Sequence, residues 1–554
     1  MEQIDKTIRV TFPDHTTRDI PVGTTVGELL PSHEGDQPVV AAKVNNYIAS
    51  LRYPLEVHSE VSPTPLGSPE GLRVYRRSLS FLLAIAARHE CSDRRLVIGH
   101  SLGDSYYYIF DDEKEVSDEI VERLTSRMHQ LVTEGLDIER RIVGYQEALD
   151  YFRTHWMSDT ARLLENRNDH KIPVYQCGDF IDLGHEPLVS NTDILKYFEL
   201  KKYGDGFLLR YPSSSSPMEM SPFEDVPLLF AIYEEYNKWG EVLGISSAGK
   251  LNQLVRSPKI KDFIWTAEAL HNKKISEIAD RISDRYSSVR TVLIAGPSSS
   301  GKTTFTKKLA IQLRVLGLEP VTINLDDYFI DRADVPFDED GRPDFEALEV
   351  IDIDLLNDDL LRLAAGNEVN LPTFDFKSGT RVYEDRFVHL PERGIIVMEG
   401  IHALNGGLTP RIPADQKFKI YISALTQLNL DDHTRVSTTD NRLIRRMVRD
   451  AQFRSYSAKD TLEMWPSVRR GERRNIFPFQ NEADSAFNSA LDYELSILRN
   501  YAEPLLREVK PYDSVYHEAV RLMSFLDNFT PIHAADVPDQ SILREFIGNS
   551  AFSY

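Results

Sequence analysis

Hydrophobic and polar positions alternate in short runs through the first 60 residues. Alternation over 7–12 and 18–22 predicts two strands, and the run at 39–44 predicts a third. Thr25 stands just before a short apolar stretch, which is the position of a helix cap. The pattern therefore predicts a small mixed α+β module.

Two stretches rich in Pro, Gly and Ser, 62–70 and 212–217, interrupt this pattern and predict loops or linkers. Between them, apolar residues spaced three and four apart predict helices over 72–87 and 117–133. Short apolar runs beside these helices predict strands. The region between the two stretches is thus a second predicted α+β module.

The pattern changes near residue 290. Before it, helical periodicity over 223–243 and 259–286 predicts connectors between modules. After it, apolar strands alternate with helices, which predicts a parallel sheet covered on both faces. The predicted strands are 292–295, 321–325, 395–398 and 418–422. In the tail, Ser514–His517 is predicted to complete this sheet and Ala519–Phe529 to form a helix.

Composition restricts the possible classes of protein. The 554 residues predict two to four domains at about 150 residues each. A hydrophobic fraction of 41% is typical of globular proteins. The net charge of −22 repels phosphate backbones, so broad nucleic-acid binding is not expected.

Neither a membrane protein nor a secreted protein is expected. The longest apolar run near the N-terminus, 81–87, is far shorter than the ~20 residues of a membrane span. The first residues lack a secretory signal pattern. Two cysteines, Cys91 and Cys177, cannot form a disulfide framework, so a cytoplasmic location is expected.

The clearest chemical motif is Gly-Pro-Ser-Ser-Ser-Gly-Lys-Thr at 296–303, which fits the P-loop pattern. Its glycines let the backbone curl around phosphate oxygens, and the following helix adds its N-terminal dipole. Lys302 would place a charge at the β- and γ-phosphates, and Thr303 would offer its hydroxyl to Mg²⁺. The predicted nucleotide-binding residues are Gly296, Pro297, Ser298, Ser299, Ser300, Gly301, Lys302, Thr303 and Thr304.

Acidic residues follow two of the predicted strands. Asp326 and Asp327 come directly after the strand that ends at 325, where a carboxylate could accept a proton from an acceptor hydroxyl. Either residue could instead be only a turn cap. Glu399 ends the strand at 395–398, where a carboxylate can hold Mg²⁺ directly or through water.

Arginines cluster at helical spacing in two later segments, 440–450 and 469–474. On a mobile lid, arginines such as Arg442 and Arg446 could neutralise the charge of a transferred phosphoryl group. A solvated, salt-bridged helix face is the alternative interpretation.

These motifs together resemble the uridine kinase branch of the P-loop kinases, which includes phosphoribulokinase-type enzymes. The P-loop, LDDYF, LPTFDFKSGTR, IIVMEGIHAL and DNRLIRRMVRD occur in that family's order within residues 290–515. The resemblance implies transfer of the γ-phosphoryl group of ATP, with Mg²⁺, to a nucleoside 5′-hydroxyl. By position it makes Asp326 the catalytic base, Glu399 the magnesium-associated acid, and Arg442 and Arg446 lid residues that act with Lys302.

The resemblance also assigns residues 373–381 to pyrimidine recognition. The family usually has Tyr-Asp-Phe-x-x-His there, whereas Phe374 and Gly379 replace the Tyr and the His. This loss removes polar readout of the base, so uridine or cytidine as the acceptor is an open question. The predicted substrate-binding residues are Asp326, Tyr328, Phe374, Asp375, Phe376 and Arg381.

The N-terminal half resembles a different family. Residues 5–62 are similar to a TGS domain, the β-grasp module of threonyl-tRNA synthetases and stringent-response enzymes. Residues 70–212 resemble the second additional domain of the synthetase on IGHSLGDSYYYIFD, YQEALDYF, YQCGDFIDLGHEPLVSN and FELKKYGDGFLLRYP. That domain hydrolyses mischarged tRNA with an H-x-x-x-H and a C-x-x-x-H motif. Arg77, Phe81, Gly184 and Leu188 stand at those positions here, so editing is not predicted.

Other candidates for chemistry are weaker. Cys91, Cys177 and His185 are potential metal ligands, but their spacing fits no structural zinc pattern. The run Tyr106–Tyr108 could stack on bases, but alternation along a strand sends at least one ring into the core. We interpret these residues as structural.

The sequence therefore predicts a multidomain α+β and α/β protein. Its predicted parts are a TGS-like β-grasp module at 1–62, an editing-like α+β domain at 63–220, a helical connector at 221–289, and a P-loop kinase with a parallel sheet flanked by helices at 290–554. The main hypothesis is an ATP-dependent nucleoside kinase. A kinase of a non-nucleoside alcohol and an RNA- or tRNA-associated regulatory protein with the kinase as a switch remain alternatives.

Overall fold

A computed structural model describes residues 7–112, 114–337, 341, 343–375 and 377–553. No helix in these ranges has the length and apolar character needed to cross a membrane.

The N-terminal module is a sheet in the order β2-β1-β6-β4-β3, with β5 paired to β4. β1 pairs with β6 in parallel and with β2 in antiparallel fashion. Thr25, predicted to be a helix cap, is the N-cap of a short 3-10 helix, Val26–Glu28. The strands are β1 (Thr7–Thr11), β2 (Thr17–Pro21), β3 (His33–Glu34), β4 (Gln37–Val44), β5 (Tyr47–Ala49) and β6 (Ser59–Pro65).

The middle module packs its first helix against two antiparallel sheets, β12-β13-β8-β7 and β11-β10-β9. That helix begins where the Ser68 hydroxyl accepts a hydrogen bond from the Gly71 N–H at 3.0 Å, with Pro69 in the first turn. The elements are α1 (Pro69–Glu90), β7 (Leu96–Ser101), β8 (Ser105–Phe110), α2 (Asp118–Glu134), β9 (Glu139–Gly144), α3 (Tyr145–Thr154), α4 (Ser158–Glu165), β10 (Lys171–Cys177), β11 (Phe180–Leu183), β12 (Glu199–Tyr203) and β13 (Gly206–Arg210).

Three helices, α5 (Pro227–Leu243), α6 (Ala248–Val255) and α7 (Ile260–Asp284), follow the middle module. Helix α7 buries Ile275 and Ile282 in the same core as Val292 and Phe305 of the P-loop region. The same core also includes Phe152 and Leu163 of the middle module, so α7 contributes to a core that the two modules share, and its role as a connector stays a prediction. Helical periodicity shows which residues of a helix are buried but not which module they pack against.

The C-terminal module is built on a parallel sheet in the order β15-β20-β14-β21-β22, flanked by helices. The multidomain α+β and α/β fold predicted from the sequence is confirmed. The elements are β14 (Thr291–Ala295), α8 (Lys302–Val315), β15 (Glu319–Asn324), α9 (Ile353–Ala364), β16 (Val369–Asn370), β17 (Thr373–Asp375), β18 (Thr380–Val382), β19 (Phe387–Val388), β20 (Gly394–Glu399), β21 (Lys417–Ser423), α10 (Thr438–Phe453), α11 (Ala458–Asn475), β22 (Ser485–Asn488), α12 (Glu494–Leu506), α13 (Tyr516–Leu526) and α14 (Arg544–Ile547).

The prediction for the tail was wrong in one respect. The strand at the sheet edge is β22, not Ser514–His517, because α13 already begins at Tyr516. Ala519, Leu522 and Leu526, spaced three and four apart, are the buried face of that helix. The four-residue strand Ser485–Asn488 is too short to produce a distinct periodic signal.

A loop between β21 and α10 ties the C-terminal module to the middle module. The buried Asp432 carboxylate accepts hydrogen bonds from Arg95 Nε at 2.5 Å and from Thr160 N and Oγ1 at 2.8 and 2.7 Å. On either side, Asp431 pairs with His185 at 2.5 Å and His433 pairs with Asp182 at 2.8 Å. The start of α10 is therefore fixed by the other half of the chain.

We expect Asp432→Ala to lower the free energy of unfolding by about 3 kcal/mol, since Arg95 and Thr160 would lose a buried partner. Asp112→Ala is the matched control. Asp112 also pairs with an arginine, Arg94, but this pair is partly exposed and lies within the middle module, so a loss of about 1 kcal/mol or less is expected. Thermal denaturation of both variants checks this, and equal losses would contradict it.

Candidate active site

The P-loop joins the end of β14 to the start of α8. Ser299 and Gly301 have φ values of 58° and 81°, which curl the backbone. Gly296 lies so close to β21 that a Cβ there would collide with the Ile422 carbonyl. The loop therefore requires glycine at 296 for close packing and at 301 for its conformation.

Two buried ion pairs hold the loop from α10. Arg442, 1% exposed, pairs with the fully buried Glu472 and donates from Nε to the Ser298 carbonyl at 2.9 Å. Glu472 also accepts from the Ser298 N–H at 3.2 Å. Arg445 pairs with Glu494 at 2.5 Å and donates to the Ser299 carbonyl at 3.3 Å.

Arg442 was predicted to act from a lid. Its guanidinium pairs with Glu472 and donates to the Ser298 carbonyl, so its contacts in this structure support the loop. Helical spacing identified the arginines but could not show which of them point inward.

Arg446 lies nearer the opening of the site. It donates to the Ser298 hydroxyl at 2.9 Å and pairs with Asp450 at 3.1 Å. Arg449 and Arg454 pair with the same buried carboxylate at 3.1 and 3.5 Å. Asp450 thus gathers three arginines, of which the sequence analysis selected only Arg446.

Lys302, Thr303 and Glu399 meet at the carboxyl ends of β14 and β20. Lys302 Nζ donates to the carbonyls of Gly296 and Pro297 at 2.9 and 3.3 Å. The Thr303 hydroxyl donates to Glu399 Oε1 at 2.7 Å. Burial raises the pKa of Glu399 to about 7, although the charge of Lys302 acts in the opposite direction.

These residues fit a nucleotide with Mg²⁺. The buried hydroxyls of Ser299 and Ser300 have no hydrogen-bond partner within the described chain, and Lys302 is satisfied only by carbonyls of its own loop. Thr303 and Glu399 offer hard oxygen ligands, and Mg²⁺ usually takes one or two carboxylates together with substrate phosphates. Elsewhere, no three or more His, Cys, Asp or Glu of the described residues form a metal-binding group.

The structure distinguishes the two aspartates after β15. Asp327 accepts a hydrogen bond from the Phe374 N–H at 3.4 Å and pairs with Arg386 at 3.2 Å. The Asp326 carboxylate makes no hydrogen bond or ion pair with the described residues. Burial raises the pKa of Asp326, while the charges of Lys302 and Arg454 lower it. Asp326 is therefore the carboxylate of this pair that is available for proton transfer.

Glu346 is a site residue that the sequence analysis missed. Burial raises its pKa to about 6, and its nearest charges include Arg446, Lys302 and Asp326. Its side chain packs on α11 where a Cβ at Gly471 would collide with it. A single Glu in a loop carries no periodic or motif signal, so the sequence could not single it out.

The segment predicted for substrate recognition forms a hairpin of β17 and β18. Tyr328 is fully buried and its hydroxyl donates to Asp359 at 3.0 Å, so it does not face the site as predicted. Asp375 accepts from Lys377 N at 2.9 Å and closes the hairpin turn. Arg381 donates to Asp352 at 2.9 Å.

Phe374 and Gly379 occupy the two positions where the family usually has Tyr and His. Phe374 is 8% exposed and packs edge-on against Phe329 at 5.6 Å. Gly379 has a φ of 72°, and a Cβ there would approach Arg332 to 2.9 Å. Glycine is thus required at 379 by the backbone. Phe376 lies outside the described residues.

The C-terminal tail reaches the P-loop helix. The Glu545 carboxylate on α14 accepts hydrogen bonds from the N–H and hydroxyl of Thr304 at 3.1 and 2.6 Å. A Cβ on Gly301 would lie 2.6 Å from Ile542 of the same tail. Thr304, predicted to bind nucleotide, is therefore engaged by an acid that lies 241 residues away in sequence.

The positions of the lost editing residues are filled by packing and ion pairing. Arg77 pairs with Glu186 at 3.4 Å, and Phe81 packs edge-on against Phe180 at 5.3 Å. Gly184 approaches the Pro173 carbonyl, and Leu188 is buried.

The remaining candidates of the middle module are also buried. Cys91 and Cys177 are buried free thiols, and burial raises the pKa of Cys177 to about 11. Tyr107 and Tyr108 are in the core.

The family comparison covers most of the C-terminal module. Residues 291–496 match the phosphoribulokinase / uridine kinase family. The matched range includes the P-loop, Asp326, Glu399 and the arginines of α10 and α11. The tail that carries Glu545 lies beyond it.

The N-terminal half is similar to threonine–tRNA ligases. The ligase of Desulforamulus reducens is 33% identical over 196 residues, which are 35% of this chain and 31% of the ligase. The ligase of Geobacter sp. is 29% identical over 195 residues, with the same shares of the two chains. The chain thus spans about a third of the length of these curated relatives.

Solved structures with a similar region have low identity. A possible uridine kinase from Bacillus stearothermophilus is 20% identical, covering 38% of this chain and 100% of that chain with a TM-score of 0.25. D-glycerate 3-kinase from Cryptococcus neoformans var. grubii is 16% identical, covering 46% and 87% with a TM-score of 0.23.

The raised pKa of Glu399 predicts a pH dependence of stability. Between its ordinary pKa of 4.5 and about 7, the folded protein keeps a proton that the unfolded chain has lost, so this group makes unfolding easier as pH rises. Glu399→Gln should therefore stabilise the metal-free protein, by at most about 3 kcal/mol above pH 7 and by little near pH 5. Melting temperatures at pH 5 to 8 in chelator check this, and a variant less stable than wild type at pH 8 would contradict it.

Proposed function

We propose that the protein is an ATP-dependent kinase that phosphorylates a hydroxyl of a small molecule, in the cytoplasm. One observation carries the proposal: the Asp326 carboxylate, which has no partner among the described residues, lies within the electrostatic influence of Lys302 of a P-loop whose Thr303 contacts Glu399. Phosphoryl transfer requires a base, a phosphate-binding lysine and a pair of metal-binding groups, and all of these lie at one sheet edge here. The family match of residues 291–496 supports the same class of reaction.

Each residue has a distinct role in this proposal. ATP with Mg²⁺ supplies the phosphoryl group and screens its charge, and Thr303 and Glu399 would hold the metal. Lys302 and backbone N–H groups of the loop bind the phosphates; Pro297 has no N–H, and that of Ser298 is already held by Glu472. Asp326 accepts the proton of the acceptor hydroxyl as that oxygen forms its bond to the γ-phosphorus, and the bond between this phosphorus and the β,γ-bridging oxygen breaks to release ADP. Arg446 stands closest to the loop among the arginines on Asp450, where it can offset the charge of the transferred group.

A nucleoside 5′-hydroxyl is the acceptor we propose first, and a non-nucleoside alcohol is the alternative. Phe374 and Gly379 lack the polar side chains that the family usually places at these two positions to read a pyrimidine edge. A panel of nucleosides and sugar alcohols, tested with ATP for ADP release, separates the two. Turnover on sugar alcohols alone would remove the nucleoside proposal and keep the kinase.

A second candidate function is RNA association. The similarity of the N-terminal half to threonine–tRNA ligases favours it. The net charge of −22 and the filled editing positions give it no further support. Salt-dependent binding of tRNA at micromolar concentration would support this candidate, and the lack of such binding would remove it.

Asp326→Asn should lower kcat by about 10²- to 10⁴-fold, because the amide cannot accept the hydroxyl proton. Asp327→Asn is the matched control, since its carboxylate is held by Phe374 N and Arg386 and a smaller loss is expected. Steady-state ADP release by both purified variants tests the assignment. A fully active Asp326→Asn enzyme beside an inactive Asp327→Asn enzyme would reverse it.

Glu545→Gln should tighten ATP binding by about tenfold. The Glu545 carboxylate holds donors of Thr304 at the start of α8, where an incoming phosphate would compete for them, and a charge-assisted hydrogen bond contributes about 1.5–3 kcal/mol. Asp539→Asn, elsewhere in the tail, is the control and should leave the affinity unchanged. Calorimetric titration with ATP measures the difference. Weaker ATP binding by Glu545→Gln would mean that Glu545 assists the nucleotide instead of competing with it.

A further inference from the structure

A cavity of about 1480 Å³ is lined by the N-terminal and middle modules and by helices α10, α11 and α13. Among the described residues, none from the P-loop lines it, so it is separate from the candidate active site. Small-molecule sites usually enclose about 300–1,000 Å³, so this space can hold a ligand of that size together with water. Its lining is rich in arginine although the whole chain is acidic.

On one wall of the cavity, the positive charges of the arginines are offset by paired carboxylates. Arg73 pairs with Glu518 at 2.5 Å, and Arg521 pairs with Asp440 at 2.7 Å. Arg77, at a position where the editing family has a histidine, pairs with Glu186. These arginines have carboxylate partners and need no further anion.

A second group of arginines in the lining has fewer close carboxylate partners. Arg435 contacts only His100 Nε2 and Thr438 Oγ1, both at 3.4 Å, and its buried Nε has no partner within the described chain. Arg76 approaches a carboxylate no closer than 3.9 Å, at Asp104, and its buried Nε also lacks a partner there.

Arg469 and Arg473 of α11 complete this group. Arg469 shares Glu472 with Arg442, and Arg473 contacts only the Ser214 hydroxyl at 3.3 Å within the described chain. Burial, together with the charges of Arg473 and Arg76, lowers the pKa of Arg469 to about 10. The four guanidinium groups therefore carry more positive charge than the surrounding carboxylates offset.

The chemistry of this group selects its ligand. A guanidinium presents parallel N–H donors that match phosphate oxygens in pairs. A buried cation without an anion is costly, so an occupant with several negative oxygens would relieve both the desolvation and the mutual repulsion. A carboxylate of the chain itself fills this role on the balanced wall but not here.

We propose that this cavity binds a small phosphorylated ligand, with its phosphate groups held by Arg76, Arg435, Arg469 and Arg473. The site is distinct from the proposed ATP site and does not depend on the kinase assignment. A free phosphorylated metabolite and the phosphates of an RNA share the same chemistry. We favour the small ligand because the charge of −22 disfavours a long polyanion.

Inorganic pyrophosphate is the probe, titrated calorimetrically into the full-length protein at low salt. Lys302→Ala is the background, so that binding at the P-loop is weakened. We expect binding that falls tenfold or more when Arg473→Gln or Arg76→Gln is added. Arg473 is exposed, so this variant should fold, and unchanged melting temperatures check both. Arg9→Gln with Arg123→Gln, two exposed arginines outside the cavity, should leave the affinity unchanged.

Two results would overturn the proposal. The first is no pyrophosphate binding in the Lys302→Ala background, or binding that is insensitive to Arg76→Gln and Arg473→Gln. The second is a short RNA that binds more tightly than pyrophosphate and loses its affinity in the same two variants. Neither readout uses turnover, so a failure here leaves the kinase proposal untouched, and loss of turnover leaves this one untouched.

Discussion

The buried carboxylate of Glu472 is the constraint on which the nucleotide site depends. It is fully buried, and it accepts hydrogen bonds from the guanidinium of Arg442, from Arg469 and from the Ser298 N–H of the P-loop. Without Glu472, Arg442 would be a buried cation under the loop, which is strongly destabilising. The pair of Glu472 and Arg442 therefore holds the curled backbone of the loop and helix α10 together as one unit. Burial depresses the pKa of Arg442, and the shared carboxylate is what keeps its charge tolerable there.

That unit is fixed in turn by the N-terminal half. The loop from β21 into α10 carries Asp432, which is held by Arg95 and Thr160 of the middle module. Arg521 of α13 joins Asp440 at the start of α10 and also approaches Glu186 at 3.9 Å. The helix that supports the P-loop thus begins inside an interface between the two halves. A movement of the start of α10 would therefore change contacts with the middle module.

Local sequence patterns predicted much of the fold and the P-loop, because strands, helices and this loop are specified by neighbouring residues. The P-loop spacing and the strand ending at Glu399 needed no tertiary information. Glu346, Glu472 and Glu545 could not be found in that way. Each acts on a partner more than a hundred residues away, or lies in a loop without a motif. The sequence did not predict the contacts of Arg442 with Glu472 and Ser298, because an i, i+4 pattern defines a helix face but not what that face contacts.

The positions that align with the editing motifs lie in the lining of the large cavity. Where the editing family places histidines and a cysteine, this chain has Arg77, Phe81, Gly184 and Leu188, and the arginine is neutralised by Glu186. The same wall, through Arg521 and Asp440, meets the first turn of α10. Arg469, which also lines the cavity, donates to Glu472, and Glu472 accepts from the Ser298 N–H of the P-loop. The same cavity is therefore bounded by residues that align with the editing motifs and by an arginine that shares its carboxylate with the support of the phosphate-binding loop.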